Sequence, residues 1–289
     1  MITVIICSAS PSRLESVSAS IKATIGVPYE LISFDNAAET GICAAYNAGA
    51  RRALYDTLCF VHDDVRFETQ DWGKRVLAHF NNDPELALIG LAGARYKSAA
   101  LSHCWCGIDW ADVSNIIQGD ARGNEQKIVV YPKGHSGNLV QCLTLDGVFL
   151  CYRKQVWQQI PFSEEYIKGF HFYDVDISLR VAASHKAAAM YDIDVVHYST
   201  GNFGDNWVRE AIRYHQLPNR PAMPVSLDEA PNWASERQVI KSWMLRLRQE
   251  KISKANKVAW MQFSGVFTQP SLWPTAVAFF FSIYLKKKR

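Results

Sequence analysis

The stretch LCFVHDDVRF, residues 58–67, joins an apolar run to two adjacent carboxylates, Asp63 and Asp64. Neighbouring acids repel each other and are poor strand formers, so the pair belongs either to a solvated turn or to a place that wants negative charge. The second alternative has a definite chemistry: a hard divalent cation such as Mg²⁺ or Mn²⁺ is held by one or two carboxylates together with substrate phosphates and water. A second cluster, GFHFYDVDISLR, sets Asp174 and Asp176 at the opening of a helical pattern whose apolar face is Val175, Leu179, Ala182 and Ala183. Asp174 suits either a helix cap or, among Phe170, Phe172 and Tyr173, a partly desolvated general base. Asp176 can pair with Arg180 four residues on and reads as structural. His197, in VVHYSTGNFGD, ends an apolar run before a small-residue turn. It is either a hydrogen-bonded structural residue or, if its strand end faces the same mouth as Asp64, a metal ligand.

Elements must bring these groups together. Strands are predicted at 2–7, 30–34, 58–62 and 86–91, alternating with helices at 11–25, 40–54 and 72–80. This order predicts an α/β fold with a mostly parallel, doubly wound sheet flanked by helices. Ligands in such sheets sit beyond the carboxyl ends of the strands, where Asp63 and Asp64 lie. Residues 95–140 lack periodicity and read as a long loop-rich insertion carrying Trp105 and Trp110, which suit stacking on sugar rings or a small local core. Further on, the pattern predicts a helix from Asp174 and a strand at 188–196. The Pro-rich LPNRPAMPVSLDEAPNW marks a boundary near residue 218. Beyond it, Ser235 and Gln238 form a capping-box start to a helix with Val239, Ile240, Trp243, Met244 and Leu247 on one face.

Composition narrows the class. A net charge of +3 over 289 residues is too small to argue for nucleic acid. The seven cysteines are odd in number and scattered in apolar runs, which suits reduced, buried thiols in a cytoplasmic protein; Cys104 and Cys106 alone are a weak zinc signal. The tail WPTAVAFFFSIYLKKKR, residues 273–289, is too short to span a bilayer. It suits either an interfacial segment on an anionic membrane or a helix packed on the domain with a solvated basic end.

In order and spacing these clusters resemble a known family. TGICAAYNAGARRALYDTLCFVHDDVRF is similar to the nucleotide-sugar-binding half of a family 2 glycosyltransferase, in which a small-residue helix with an Asn leads to a strand ending in a D-x-D motif. DGVFLCYRKQVW followed by PFSEEYIKGFHFYDVDISLR and DVVHYSTG resembles its acceptor half. The likeness covers roughly residues 1–204. It implies a GT-A-type catalytic domain at 1–217, with a donor half at 1–94 and an acceptor half at 95–217, and a helical extension at 218–289. It also implies an inverting transfer from a nucleoside-diphosphate sugar to a glycan or lipid-linked acceptor, in bacterial surface polysaccharide assembly, assisted by Mg²⁺ or Mn²⁺. By the same match Asp64 takes the metal-binding position, Asp63 the middle of the motif, Asp35 the base-contacting acid, Asn47 the helix Asn on the nucleotide side, Asp174 the catalytic base and His197 a third metal ligand. Two positions depart from the pattern: His62 stands at the first acid of the motif, and Tyr173 replaces the Glu before the base. These departures keep a competing reading open, a non-catalytic sugar-nucleotide or glycan-binding protein. A nucleotidyltransferase would want a glycine-rich phosphate loop where CSASPSR stands.

Overall fold

The computed structural model describes residues 1–35, 41–120, 122–199 and 201–284. Strands β1 (Ile2–Ser8), β2 (Tyr29–Asp35) and β3 (Thr57–Val61) pair in parallel, with the almost wholly buried β1 in the middle. After β3 the chain makes a short strand, β4 (Val65–Phe67), then β5 (Leu86–Gly90), β6 (Ala92–Ala94) and β7 (Tyr96–Lys97). There follow β8 (Asp112–Gly119), β9 (Glu125–Val130), β10 (Leu139–Cys142), β11 (Thr144–Leu145), β12 (Phe149–Arg153), β13 (Lys186–Met190), β14 (Val195–His197) and β15 (Val225–Ser226). The main sheet runs β10-β13-β5-β12-β3-β1-β2, with β12 antiparallel to both its neighbours. A second sheet runs β11-β6-β8-β14-β4, with β9 on β8. The architecture is the expected α/β one, and the reversed β12 turns out to be what builds the site.

Local sequence explains the element ends. The helix Pro11–Thr24 starts directly after β1, with Pro11 in its first turn and the Ser10 hydroxyl accepting from Arg13 N. The helix Ile42–Arg52 begins after Gly41, at φ +76°, where a Cβ would lie 2.4 Å from Lys168 O; the position needs glycine on both counts. Residues 36–40, and with them the predicted start of that helix at residue 40, lie outside the described residues. The helix Tyr173–Ala182 is entered through Phe172 at φ +70°, a strained conformation for an aromatic residue, held by stacking on Tyr214.

Four expectations are corrected. Residues 95–140 contain the antiparallel pair β8–β9, whose outer strand EQKIVV is exposed along almost its whole length and so shows no alternation. The predicted strand 188–196 is two strands in different sheets, β13 and β14. Asn232, not Ser235, caps the helix Trp233–Leu247: its side chain accepts from Ala234 N and Ser235 N, both at 3.0 Å. Cys59 and Cys151 form a disulfide rather than staying reduced, because the register of β12 on β3 sets them directly opposite each other.

The C-terminal helices pack onto the body through tryptophan. Trp243 stacks on Trp207 and on Trp105, and Trp260 Nε1 donates to Leu101 O at 3.0 Å. Arg95 and Asp228 form a two-pronged ion pair with contacts of 2.6 and 3.0 Å. The helix Trp273–Phe280 buries Ala276 and Phe279 and leaves Trp273 and Val277 half exposed, beside the exposed Phe267 and Phe281. Residues 285–289, the basic end of the tail, lie outside the described residues. Among the described residues no helix is long and apolar enough to cross a membrane.

Candidate active site

Three chain segments meet at the end of β3. Phe149 of β12 pairs with Val61, and the pairing continues as His62 N donates to Val148 O at 3.1 Å. The turn Asp146-Gly147 that precedes β12 therefore lies against the HDD stretch. β4 pairs antiparallel with β14, which sets His197 opposite Val65, and Tyr198 N donates to Asp64 O at 2.9 Å. His62, Asp64 and His197 come together in this way, with one ligand atom from each within 4.8 Å of the others. His62 Nδ1 is 3.9 Å and His197 Nε2 3.5 Å from Asp64 Oδ1. That oxygen is buried and accepts no hydrogen bond, a costly state for a carboxylate. Burial lowers the His197 pKa, with Asp146 and Asp64 opposing, which favours the neutral imidazole that binds metals. An oxygen and two ring nitrogens around one point could hold a divalent ion, and the orphaned Oδ1 is the observation that fits one.

Asp63 faces another way. It accepts from Ser8 Oγ at 2.6 Å and lies 3.8 Å from Arg13 Nη1, so the two adjacent acids split their duties. It lines a cavity of about 460 Å³ together with Arg13, Tyr46, Lys168, Phe170 and His62. Asp35 is exposed at the end of β2, level with Ser8 of β1. Asn47 is absent from the lining of the described cavities. It is buried, with Nδ2 donating to Phe162 O at 2.8 Å and Oδ1 accepting from Trp157 Nε1 and Phe162 N, and it ties its helix to the segment ahead of Asp174.

A second cavity, of about 320 Å³, shares His62, Asp64 and Phe170 with the first and extends to Asp174, His103 and Asp146. The Asp174 carboxylate is only 4% exposed; it accepts from Gly147 N at 3.1 Å and Val175 N at 2.9 Å, with His103 Nε2 at 3.6 Å. Burial pushes its pKa up, against His103, and Asp146 adds to the rise. For Asp146 burial is outweighed by His103, His197 and His62, and its carboxyl stays below the usual range. One acid is thus tuned toward taking a proton and its neighbour toward staying charged. Asp176 lies outside this cleft, held by Ser163 Oγ at 2.6 Å and Arg180 at 3.4 Å. Trp105 stacks on Trp243 as part of a local aromatic core, and its ring also lines the second cavity. Trp110 packs edge-on against Tyr96.

Sequence reasoning missed Ser8, Arg13, Lys168, His103 and Asp146. Ser8 ends β1 and Arg13 follows it, so both were open to the strand-end rule. His103 lies in the aperiodic region and carried no signal.

The model of the Glycosyltransferase like family matches residues 3–216, most of the chain and all of the cleft-forming segments just described except the C-terminal helices. The chain belongs to this glycosyltransferase family. No curated protein sequence matches it significantly. Among solved structures, GalNAc-T7 with UDP, GalNAc and Mn²⁺ is similar at a TM-score of 0.50 and 11% identity, covering 69% of this chain and 44% of that one. TarS of S. aureus is similar at a TM-score of 0.50 and 12% identity, covering 93% of this chain and 48% of that one. The chain therefore spans less than half the length of either. Both likenesses support the GT-A fold.

Proposed function

We propose that this glycosyltransferase moves a sugar, with inversion, from a nucleoside-diphosphate sugar to a hydroxyl of a glycan or lipid-linked acceptor. The observation that carries the proposal is the unpartnered Asp64 Oδ1 between two imidazoles, at the seam of the two cavities. Donor and acceptor are assigned one to each cavity. On the donor side Arg13 and Lys168 offer positive charge to a diphosphate, and Asp63 orients Arg13. Asp35 and Asn47 are assigned to the nucleotide, Asp35 by contact and Asn47 by bracing the wall behind it. A Mg²⁺ or Mn²⁺ ion held by Asp64, His62 and His197 would neutralise charge on the departing diphosphate without proton transfer. On the acceptor side Asp174, its pKa raised by burial, takes the proton of the attacking hydroxyl. GalNAc-T7 was solved with UDP, GalNAc and Mn²⁺, ligands of the class this cleft suits.

The test is a thermal-shift screen of the full chain against UDP- and GDP-sugars with and without Mn²⁺, followed by an assay for released nucleoside diphosphate with glycan and lipid-linked acceptors. Stabilisation by one donor and release on adding an acceptor are expected. Stabilisation without release under any acceptor would favour the non-catalytic binding reading, and no stabilisation by any donor would contradict both. The apolar face of Trp273, Val277, Phe281 and Phe267, followed in the sequence by LKKKR, is assigned to an anionic lipid surface. Co-sedimentation with anionic but not with neutral vesicles is expected, and absence of binding to either would contradict it.

A further inference from the structure

We infer that Tyr173 is a positioning residue that fixes the tautomer of His62 and leaves Nδ1 of that imidazole free to complete a two-histidine, one-carboxylate cation site. The inference rests on the metal reading above and adds a residue outside the ligand set. The Tyr173 hydroxyl lies 2.7 Å from His62 Nε2 and 3.1 Å from Gly147 O. The hydroxyl donates its single proton to Gly147 O, a carbonyl that can only accept. A phenol keeps its proton at neutral pH, its ordinary pKa being about 10. Toward His62 the hydroxyl can then only accept, which requires the imidazole to carry its proton on Nε2. Nδ1 is left with a lone pair, 3.9 Å from the orphaned Asp64 Oδ1. Two lone pairs facing each other are unfavourable unless a cation lies between them.

Two further observations show that the contact is built in. A Cβ on Gly147 would fall 1.9 Å from the Tyr173 hydroxyl oxygen, so only glycine lets the phenol reach the backbone there. Phe172, at φ +70° immediately before Tyr173, is the kind of strain that persists where the surroundings hold a side chain to one direction. The two departures from the family pattern, His62 and Tyr173, thus form one device. An imidazole in place of the first acid needs a partner for its outer N–H, and the phenol supplies it. Two imidazoles also move the site toward Mn²⁺ and away from Mg²⁺.

The test is a double-mutant cycle of Tyr173→Phe and His62→Ala on the full chain, reading affinity for Mn²⁺ alone by the electron paramagnetic resonance of the free ion. Tyr173→Phe should weaken Mn²⁺ about 10-fold or more, the usual loss when an outer partner of a ligand is removed. In the His62→Ala background it should cost nothing further. Equal Mn²⁺ affinity of Tyr173→Phe and the wild type, or the same loss in both backgrounds, would overturn the inference while leaving the metal site standing. A wild-type protein that binds no Mn²⁺ would overturn the metal reading as well. Imidazole ¹⁵N shifts of the metal-free wild type need no variant: the Nε2–H tautomer of His62 is expected, and an Nδ1–H tautomer would overturn the inference even if Tyr173→Phe failed to fold.

Discussion

Asp64 and Asp174 line the same cleft and are prepared in opposite ways. Asp174 is sealed by two backbone N–H groups and an imidazole, and its pKa is raised. Asp64 keeps one oxygen buried without a donor, flanked by two ring nitrogens. A carboxylate whose partners are all supplied by protein has only its protonation state left to vary. A carboxylate with a buried oxygen that no protein donor reaches is left for a ligand to satisfy, and a cation suits it where two ring nitrogens lie alongside. The difference separates a proton acceptor from an ion holder on a single wall, before any ligand is considered.

Replacing Asp174 should give the largest effect. Asp174→Asn keeps the size of the side chain and its acceptance from Val175 N, so nucleotide affinity should hold while transfer falls by two to four orders of magnitude, about the range for a lost general base. Near-normal transfer by this variant would reduce Asp174 to a structural group and erase the contrast with Asp64. The raised pKa makes a smaller, signed prediction. Between the ordinary carboxylate pKa and the raised one, the native state binds more protons than the unfolded state, so this group's contribution to stability falls as pH rises through that window. The melting temperature of Asp174→Asn relative to wild type should therefore climb as pH rises above the ordinary carboxylate pKa of about 4. A difference that does not change with pH would show that the Asp174 carboxyl is not shifted by its burial. In the transfer rate the same raised pKa should appear as an acid limb lying above the ordinary carboxylate range.

The two acids also differ in how far the sequence revealed them. Asp63 and Asp64 were legible because a buried strand followed by two charges is a local pattern, and the helix opening at Asp174 was legible from its apolar spacing. The partners that define their chemistry were not. His103 lies in a segment whose exposed strand shows no alternation, and Asp146 reaches the site only because β12 runs antiparallel beside β3. The same register produces the Cys59–Cys151 disulfide across 92 residues of sequence, which composition read as reduced thiols. His62 and Tyr173 were visible only as two separate departures, since a hydrogen bond between residues 111 apart has no trace in local spacing. Asn47 was singled out only through the resemblance, as the helix Asn on the nucleotide side, and in the fold its amide is bonded to Trp157 and Phe162. Local chemistry is written in the sequence; the coupling between distant segments comes from strand register.

The central claim is that Asp64 holds a cation shared with a nucleoside diphosphate. Calorimetric titration of UDP and GDP into wild type and Asp64→Ala, each with Mn²⁺ and with EDTA, tests it most directly. Wild type should bind one of the two nucleotides at least about 10-fold more tightly with Mn²⁺, a change of roughly 1.4 kcal/mol. Asp64→Ala should stay folded, bind as weakly in Mn²⁺ as in EDTA, and match the wild type in EDTA. Equal affinity of the wild type in Mn²⁺ and EDTA would contradict the account and return the orphaned oxygen to an ion pair with its two histidines.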